Sequence, residues 1–288
     1  TWLLSLPSSS SHALFGGLIG ATWVFAGSGA IHFSTVVGKV LVPLALSPIV
    51  AGLAALAATA VAYRLTAHGD QPAVNRGFRA AQVVSASMVA LAHGTNDAQK
   101  TMGVITLTLI TVGLLPAHSA PPLWVIALCG LAIAAGTATG GWRIIRTLGH
   151  RISDIESTQG FAAETASTAV ILTSSHLGLA LSTTQVTTGA VLGSAAGRRA
   201  ATVRWGVAAE MVVAWLLTLP AAAALGALAA WTASTGTGGT ALVALVLAVL
   251  AGGIYGLSRR TPVTATTVNS TDAHRGPAAV GTPVHAAG

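Results

Sequence analysis

Charge is what this chain of 288 residues has least of: 7% of it is Asp, Glu, Lys or Arg, against about 25% in a soluble domain. With 53% hydrophobic residues and a mean hydropathy of +0.74, too little polar surface remains to face water, and the chain reads as a membrane protein. A single cysteine, Cys129, excludes an intramolecular disulfide and reads as a packing residue. No Cys/His cluster of zinc spacing, no Gly-rich loop ending in Lys-Ser/Thr and no nucleophile elbow occurs, so neither a zinc enzyme, nor ATP hydrolysis, nor covalent catalysis is supported. The first residue is Thr1 and no basic n-region or cleavage site precedes the first apolar run, which reads as a fragment.

What is present is basic. The net charge is +7, but the basic residues sit in short clusters between apolar runs, as the positive-inside bias produces, rather than in a nucleic-acid-binding stripe. Apolar runs cover 12–31, 36–65, 78–115, 123–142, 203–231 and 240–257. Arg lies in loops 64–79, 143–151, 198–204 and 259–260, while 116–122 and 232–239 contain no Lys or Arg. The first set is therefore expected in the cytoplasm and the second outside.

Two cytoplasmic clusters flank 152–197, a stretch whose halves are short and polar where they meet. That predicts a re-entrant helical hairpin with its tip near His176–Thr184, inside the membrane and shielded by protein or a wet cavity. The run 78–115 exceeds one crossing and is interrupted by His93-Gly-Thr-Asn-Asp97, which predicts a broken or strongly tilted helix. The tail 258–288, rich in Thr, Pro, Gly and Ala, is expected to be disordered.

Ser9-Ser10-Ser11-His12, followed by Gly16 and Gly20, returns as Ser182-Thr183-Thr184-Gln185, followed by Gly189 and Gly193, at a constant shift of 173 positions. The charge topology gives the two copies opposite directions, the signature of an inverted repeat. The expected division is 1–65 as the remainder of a first repeat, 66–257 as the second repeat with the terminal membrane helices, and 258–288 as the tail. The same shift places the counterpart of Asp97 before Thr1, so the first half of the first repeat is expected to be missing. The fold class is an all-α polytopic membrane protein with inverted repeats, broken helices and re-entrant hairpins.

Asp97, Asn96 and Lys100 lie in an otherwise greasy run. A charge at the bilayer centre costs at least about 3 kcal/mol, so such residues face a protein interior or a wet cavity and mark a pathway. An Asp97–Lys100 ion pair three residues apart on a helix would be the structural alternative.

His93-Gly-Thr-Asn-Asp97 resembles the Gly-x-Asn-Asp signature of the Pit family of inorganic phosphate transporters. Leu181-Ser-Thr-Thr-Gln185 and Pro7-Ser-Ser-Ser-Ser-His12 resemble its Pro-x-Ser-Thr-Thr-His signature, and Gly160-Phe161 with Glu164 matches the pattern ahead of it. Leu181 and Gln185 replace the family's Pro and His, which removes any imidazole role there. Lys100 stands where the family often has Asn; Asp-x-Gln-Lys resembles the bacterial, proton-linked members.

The resemblance implies secondary transport of inorganic phosphate across the cell membrane by a multi-pass protein that is not an enzyme. Phosphate needs donors, and Ser9, Ser10, Ser11, Ser182, Thr183 and Thr184 could supply hydroxyls at half-helix N-termini, or could simply cap those helices. Asn96 and Lys100 join this substrate-binding set, Lys100 as a phosphate donor or as an internal counter-ion replacing sodium. Asn96, Asp97 and Glu164 are the candidates for the coupling ion; for Glu164 a structural hydrogen bond is the alternative. The implied partners are phosphate, a co-transported H+ or Na+, a divalent metal travelling with phosphate, and the lipid bilayer. No cofactor, resident metal or nucleic acid is implied, and self-association into a homo-oligomer is left open. Sodium symport, a passive anion channel and a transport-inactive subunit are the competing readings.

Overall fold

The computed structural model describes residues 7–139, 141–151, 155–198 and 203–260. Residues 1–6, Asp154 and Arg199 of the loop charges, and 261–288 lie outside them, so most of the expected tail is untested; its first residues belong to a helix.

Among the described residues ten α-helices follow one another: α1 (Ser10–Ala26), α2 (Phe33–Val36), α3 (Val42–Leu65), α4 (Gln71–Thr111), α5 (Leu123–Thr139), α6 (Trp142–Arg146), α7 (Ser157–His176), α8 (Thr183–Gly197), α9 (Trp205–Ala233) and α10 (Thr237–Arg260). A π-turn at Val37–Leu41 joins α2 to α3, so Phe33–Leu65 is one apolar run. Together with Trp205–Ala233 and Thr237–Leu257 it is long and apolar enough to cross a bilayer. Many large apolar side chains are exposed, such as Leu53, Leu216 and Leu247, a surface suited to lipid.

The prolines are placed rather than merely tolerated. Pro43 has no N–H to give the carbonyl of Lys39 four residues back, and that carbonyl instead accepts the Ala180 N–H at 3.0 Å. A break in one helix thus anchors the loop between α7 and α8. Pro48 leaves the Leu44 carbonyl free in the same way, and the Ser47 hydroxyl reaches it at 3.4 Å.

Of the two expectations for this run, a break or a strong tilt, the break is absent from α4. Its 41 residues run unbroken through Gly94, about 60 Å at 1.5 Å per residue. Gly alone costs a helix interior only about 1 kcal/mol, the only proline is Pro72 in the first turn, and the Thr95 hydroxyl returns to the Leu91 carbonyl at 2.9 Å, so nothing breaks the ladder. The length beyond one crossing is taken up by the polar N-terminal turns from Gln71, capped by Asp70 on the Ala73 N–H at 3.3 Å.

Packing is by close approach of small residues. A Cβ at Gly16 would lie 2.5 Å from the Leu219 carbonyl oxygen, and one at Gly20 would strike Ala223. A Cβ at Gly189 would strike Pro48, and one at Gly193 would strike Gly52. Each step of four residues on α1 or α8 matches four on its partner, so α1 runs parallel to α9 and α8 parallel to α3. The helices of 1–65 therefore pack mainly on later ones. α4 lies along α7, also parallel: Ser85 meets Glu164 and, eleven residues on in both, Asn96 meets Ser175.

Candidate functional site

The α7–α8 hairpin turns at 177–182, within the expected tip. Ser182 caps α8 by accepting the Gln185 N–H at 3.4 Å, and Ser9 caps α1 by accepting the His12 N–H at 3.1 Å. These two hydroxyls do the structural work of N-capping. Ser10 is exposed and Thr184 half-buried, both in first turns, where backbone N–H groups have no intrahelical acceptor.

Ser11 and Thr183 converge on α4. The Lys100 ammonium donates to the Ser11 hydroxyl at 2.8 Å, to Asp97 Oδ1 at 2.9 Å and to the Leu181 carbonyl at 2.9 Å. Ser11 also donates to the Leu181 carbonyl, at 2.9 Å. Asp97 Oδ2 accepts from Thr183 at 3.2 Å and lies 3.1 Å from His93 Nε2. Asn96, 4% exposed, donates to Asp97 Oδ1 at 3.2 Å and accepts from Ser175 at 3.3 Å. One half-buried ion pair thus ties together α4, the end of α7, the start of α1 and the loop before α8.

An ammonium has three N–H donors and no acceptor, and here three oxygens take them all. Lys100 is saturated as a counter-ion and could reach an anion only by giving up a partner. The Asp97–Lys100 pair is only partly exposed, 21% and 13% at the side chains. Such a pair is weak as a source of stability but costly to break on one side.

Glu164 is not part of this cluster. It accepts the Ser85 hydroxyl at 2.5 Å, eleven residues before Ser175 on α7, about 16 Å along the axis. Of the candidate residues, the structure gathers Ser11, Asn96, Asp97, Lys100 and Thr183, and keeps Glu164 apart in the half of α7 nearer its N-terminus. Two members carry little sequence signal: the Leu181 carbonyl, because any residue has one, and Ser175, which lies in the polar Thr173-Ser-Ser-His176 stretch but has its partner 79 positions away. His93 lies four residues before Asp97, a helical spacing that could have found it. Among the described residues no group of three or more His, Cys, Asp or Glu could hold a metal.

The fold and this cluster define a polytopic helical membrane protein with a polar site held between helix starts. Residues 1–72 and 62–226 match the phosphate transporter family. A Mycobacterium bovis protein named "Probable low-affinity inorganic phosphate transporter" is 56% identical over 227 residues, 78% of this chain and 54% of that protein. Proteins of the same name from Rhizobium meliloti and Bacillus subtilis are 43% and 38% identical, each over 78% of this chain and over 67% and 68% of their own lengths. A solved structure titled "The sodium-dependent phosphate transporter" superimposes with a TM-score of 0.69 at 22% identity, over 81% of this chain and 75% of that one; at that identity the likeness is one of fold. The chain belongs to the phosphate transporter family, a family of transporters rather than enzymes, and is a multi-pass protein of the cell membrane. It spans about half the length of the mycobacterial relatives.

Proposed function

We propose that the protein of which this chain is a part carries inorganic phosphate across the cell membrane by alternating access, coupled to a cation. The observation that carries the reading is the half-buried Asp97–Lys100 pair, held by hydroxyls and a carbonyl at the starts of α1 and α8. A charge pair kept at that cost beside first-turn hydroxyls and N–H groups suits an anion site with an ion-coupling carboxylate. The matched packing of Gly16 and Gly20 on α9, and of Gly189 and Gly193 on α3, supports inverted repeats whose half-helices exchange partners.

Proton coupling is the preferred form. Lys100 fills the oxygen cage around Asp97 that a sodium ion would otherwise need, and serves as internal counter-ion rather than phosphate donor. Phosphate uptake by the full-length protein in proteoliposomes, with imposed proton or sodium gradients and with or without divalent metal, tests this. Uptake driven by a proton gradient and abolished in Asp97→Asn is expected. Flux that survives Asp97→Asn and ignores every gradient would leave a passive channel, and flux that follows sodium alone would leave the symporter with the other ion.

A further inference from the structure

Where α3 ends and α4 and α7 begin, on the side that the arginine-bearing loops assign to the cytoplasm, lies a polar cavity of about 450 Å³. Asn75 and Arg79 of α4 line it, with Ser157 and Thr158 of α7 and the pair Tyr63 and Glu156. Ser85 meets Glu164 and Asn96 meets Ser175 at one constant offset of 79 positions, and the same offset sets Arg79 opposite Thr158. The cavity therefore lies on the α4/α7 seam, about 26 Å along α7 from Ser175, apart from the Asp97 cluster.

Its carboxylate is already committed. Glu156 accepts from Arg198 at 2.7 Å on Oε1 and from the Tyr63 hydroxyl at 2.7 Å on Oε2, so the guanidinium of Arg79 is the uncompensated charge in the wall. Among the described residues Arg79 has no partner. Thr158 is 3% exposed, yet its hydroxyl has no partner either, and unlike the hydroxyls of Thr59 and Ser167 it is not sealed from the surface. A buried hydroxyl left unpaired is costly, and a ligand in the cavity would relieve it. The Ser157 and Thr158 N–H groups, in the first turn of α7, have no intrahelical acceptor. A guanidinium, two N–H groups and two hydroxyls thus meet at one place as donors, and a helix start with an arginine beside it is the chemistry that holds a tetrahedral oxyanion.

We infer that this cavity binds a phosphate group, as free inorganic phosphate or as the phosphomonoester head of a lipid. Arg79 takes two of its oxygens, and the Ser157 and Thr158 N–H and hydroxyl groups take the others. The bound anion bridges α4 and the α7–α8 hairpin at their shared end.

The test uses the full-length protein in phosphatidylcholine nanodiscs, with phenylglyoxal as the guanidinium reagent and peptide mass spectrometry as the readout at each arginine. Arg76, exposed on α4 but outside the cavity wall, is the internal control. Inorganic phosphate, or phosphatidic acid placed in the discs without free phosphate, should protect Arg79 saturably and leave Arg76 reactive; protection in one arm alone identifies the source. Thr158→Val should raise the half-protecting concentration about fivefold, the worth of one hydrogen bond. Should that variant fail to fold, Ser157→Ala, at a half-buried position, should give the same rise. Asp97→Asn should leave the protection unchanged, so the outcome is independent of the transport reading. An Arg79 that neither arm protects, or that is protected no better than Arg76, would overturn the site, as would protection that is unchanged in Thr158→Val and Ser157→Ala or lost in Asp97→Asn.

Discussion

Lys100→Met removes the ammonium and keeps the stem, which makes it the sharpest perturbation of the Asp97 cluster. Breaking one side of a buried ion pair costs about 3–5 kcal/mol. Here the loss is smaller, because Asp97 keeps Thr183, Asn96 and His93 within 3.2 Å and the Leu181 carbonyl keeps the Ser11 hydroxyl. About 2–3 kcal/mol remains, and at about 2–4 °C per kcal/mol for a domain of this size the Tm should fall by about 4–12 °C.

Asp97 Oδ1, the Ser11 hydroxyl and the Leu181 carbonyl are then left as a set of hard oxygens around a cation-sized gap. Sodium should enter it. With a Kd of about 10 mM, 150 mM NaCl would return about 1.6 kcal/mol by mass action, or about 3–6 °C, and choline chloride nothing. The assay is thermal unfolding of the full-length protein in nanodiscs, in sodium or choline, for wild type, Lys100→Met and the double variant Asp97→Asn/Lys100→Met. The double variant should be more stable than Lys100→Met, since it removes the orphaned charge. A Lys100→Met protein as stable as wild type would refute the saturated ammonium, and a wild type that gains as much from sodium as the variant would refute the filled cage.

Other outcomes follow from the packing and from the second carboxylate. Gly193→Ala, whose Cβ meets the Gly52 carbonyl, should cost about 2 kcal/mol or more, whereas Gly94→Ala, with open space around it, should gain about 0.5–1 kcal/mol; thermal unfolding reads both. Tyr63→Phe loses the 2.7 Å hydrogen bond to Glu156 and should cost about 1 kcal/mol. Arg198→Gln breaks the exposed bridge to the same carboxylate and should cost less than about 1 kcal/mol. Glu164→Gln, about 16 Å along α7 from the Asp97 cluster, should leave the phosphate KM unchanged in proteoliposome uptake.

Much of this arrangement is legible in the sequence, and the illegible parts have physical reasons. Two Arg clusters around a polar-centred stretch announced the α7–α8 hairpin, because charge distribution reports topology. Three-residue spacing announced the Asp97–Lys100 pair. The continuity of α4 was not legible: Gly94 beside Asn96 and Asp97 looks like a break, yet breaking a helix takes more than one glycine's propensity, and the polar side chains of α4 find partners on other helices. Nor was it legible that Pro43 would hand the Lys39 carbonyl to Ala180, since backbone acceptors leave no residue signature. Glycines four residues apart permit close helix packing, but which helix lies against Gly16 or Gly193 is a tertiary choice that no local pattern records.

The two helix starts can be tested for equivalence at positions related by the shift of 173. The shift of 173 pairs Ser9 with Ser182 and both cap their helices, so the two caps are alike. The same shift pairs Ser11 with Thr184 and Ser10 with Thr183, yet the site takes Ser11 from one half-helix and Thr183 from the other. A single Asp97–Lys100 pair can meet the two helix starts only from one side, so equivalent hydroxyls become inequivalent. Ser11→Ala removes an acceptor from the ammonium and a donor from the Leu181 carbonyl, a loss of about 1–3 kcal/mol. Thr184→Ala touches neither contact and should cost less than about 0.5 kcal/mol. Thr183→Ala should likewise exceed Ser10→Ala, since only Thr183 donates to Asp97 and Ser10 is exposed. Thermal unfolding of the four variants decides it: equal losses within each pair would mean that the charge pair does not organise the two helix starts, and that both serve as interchangeable caps.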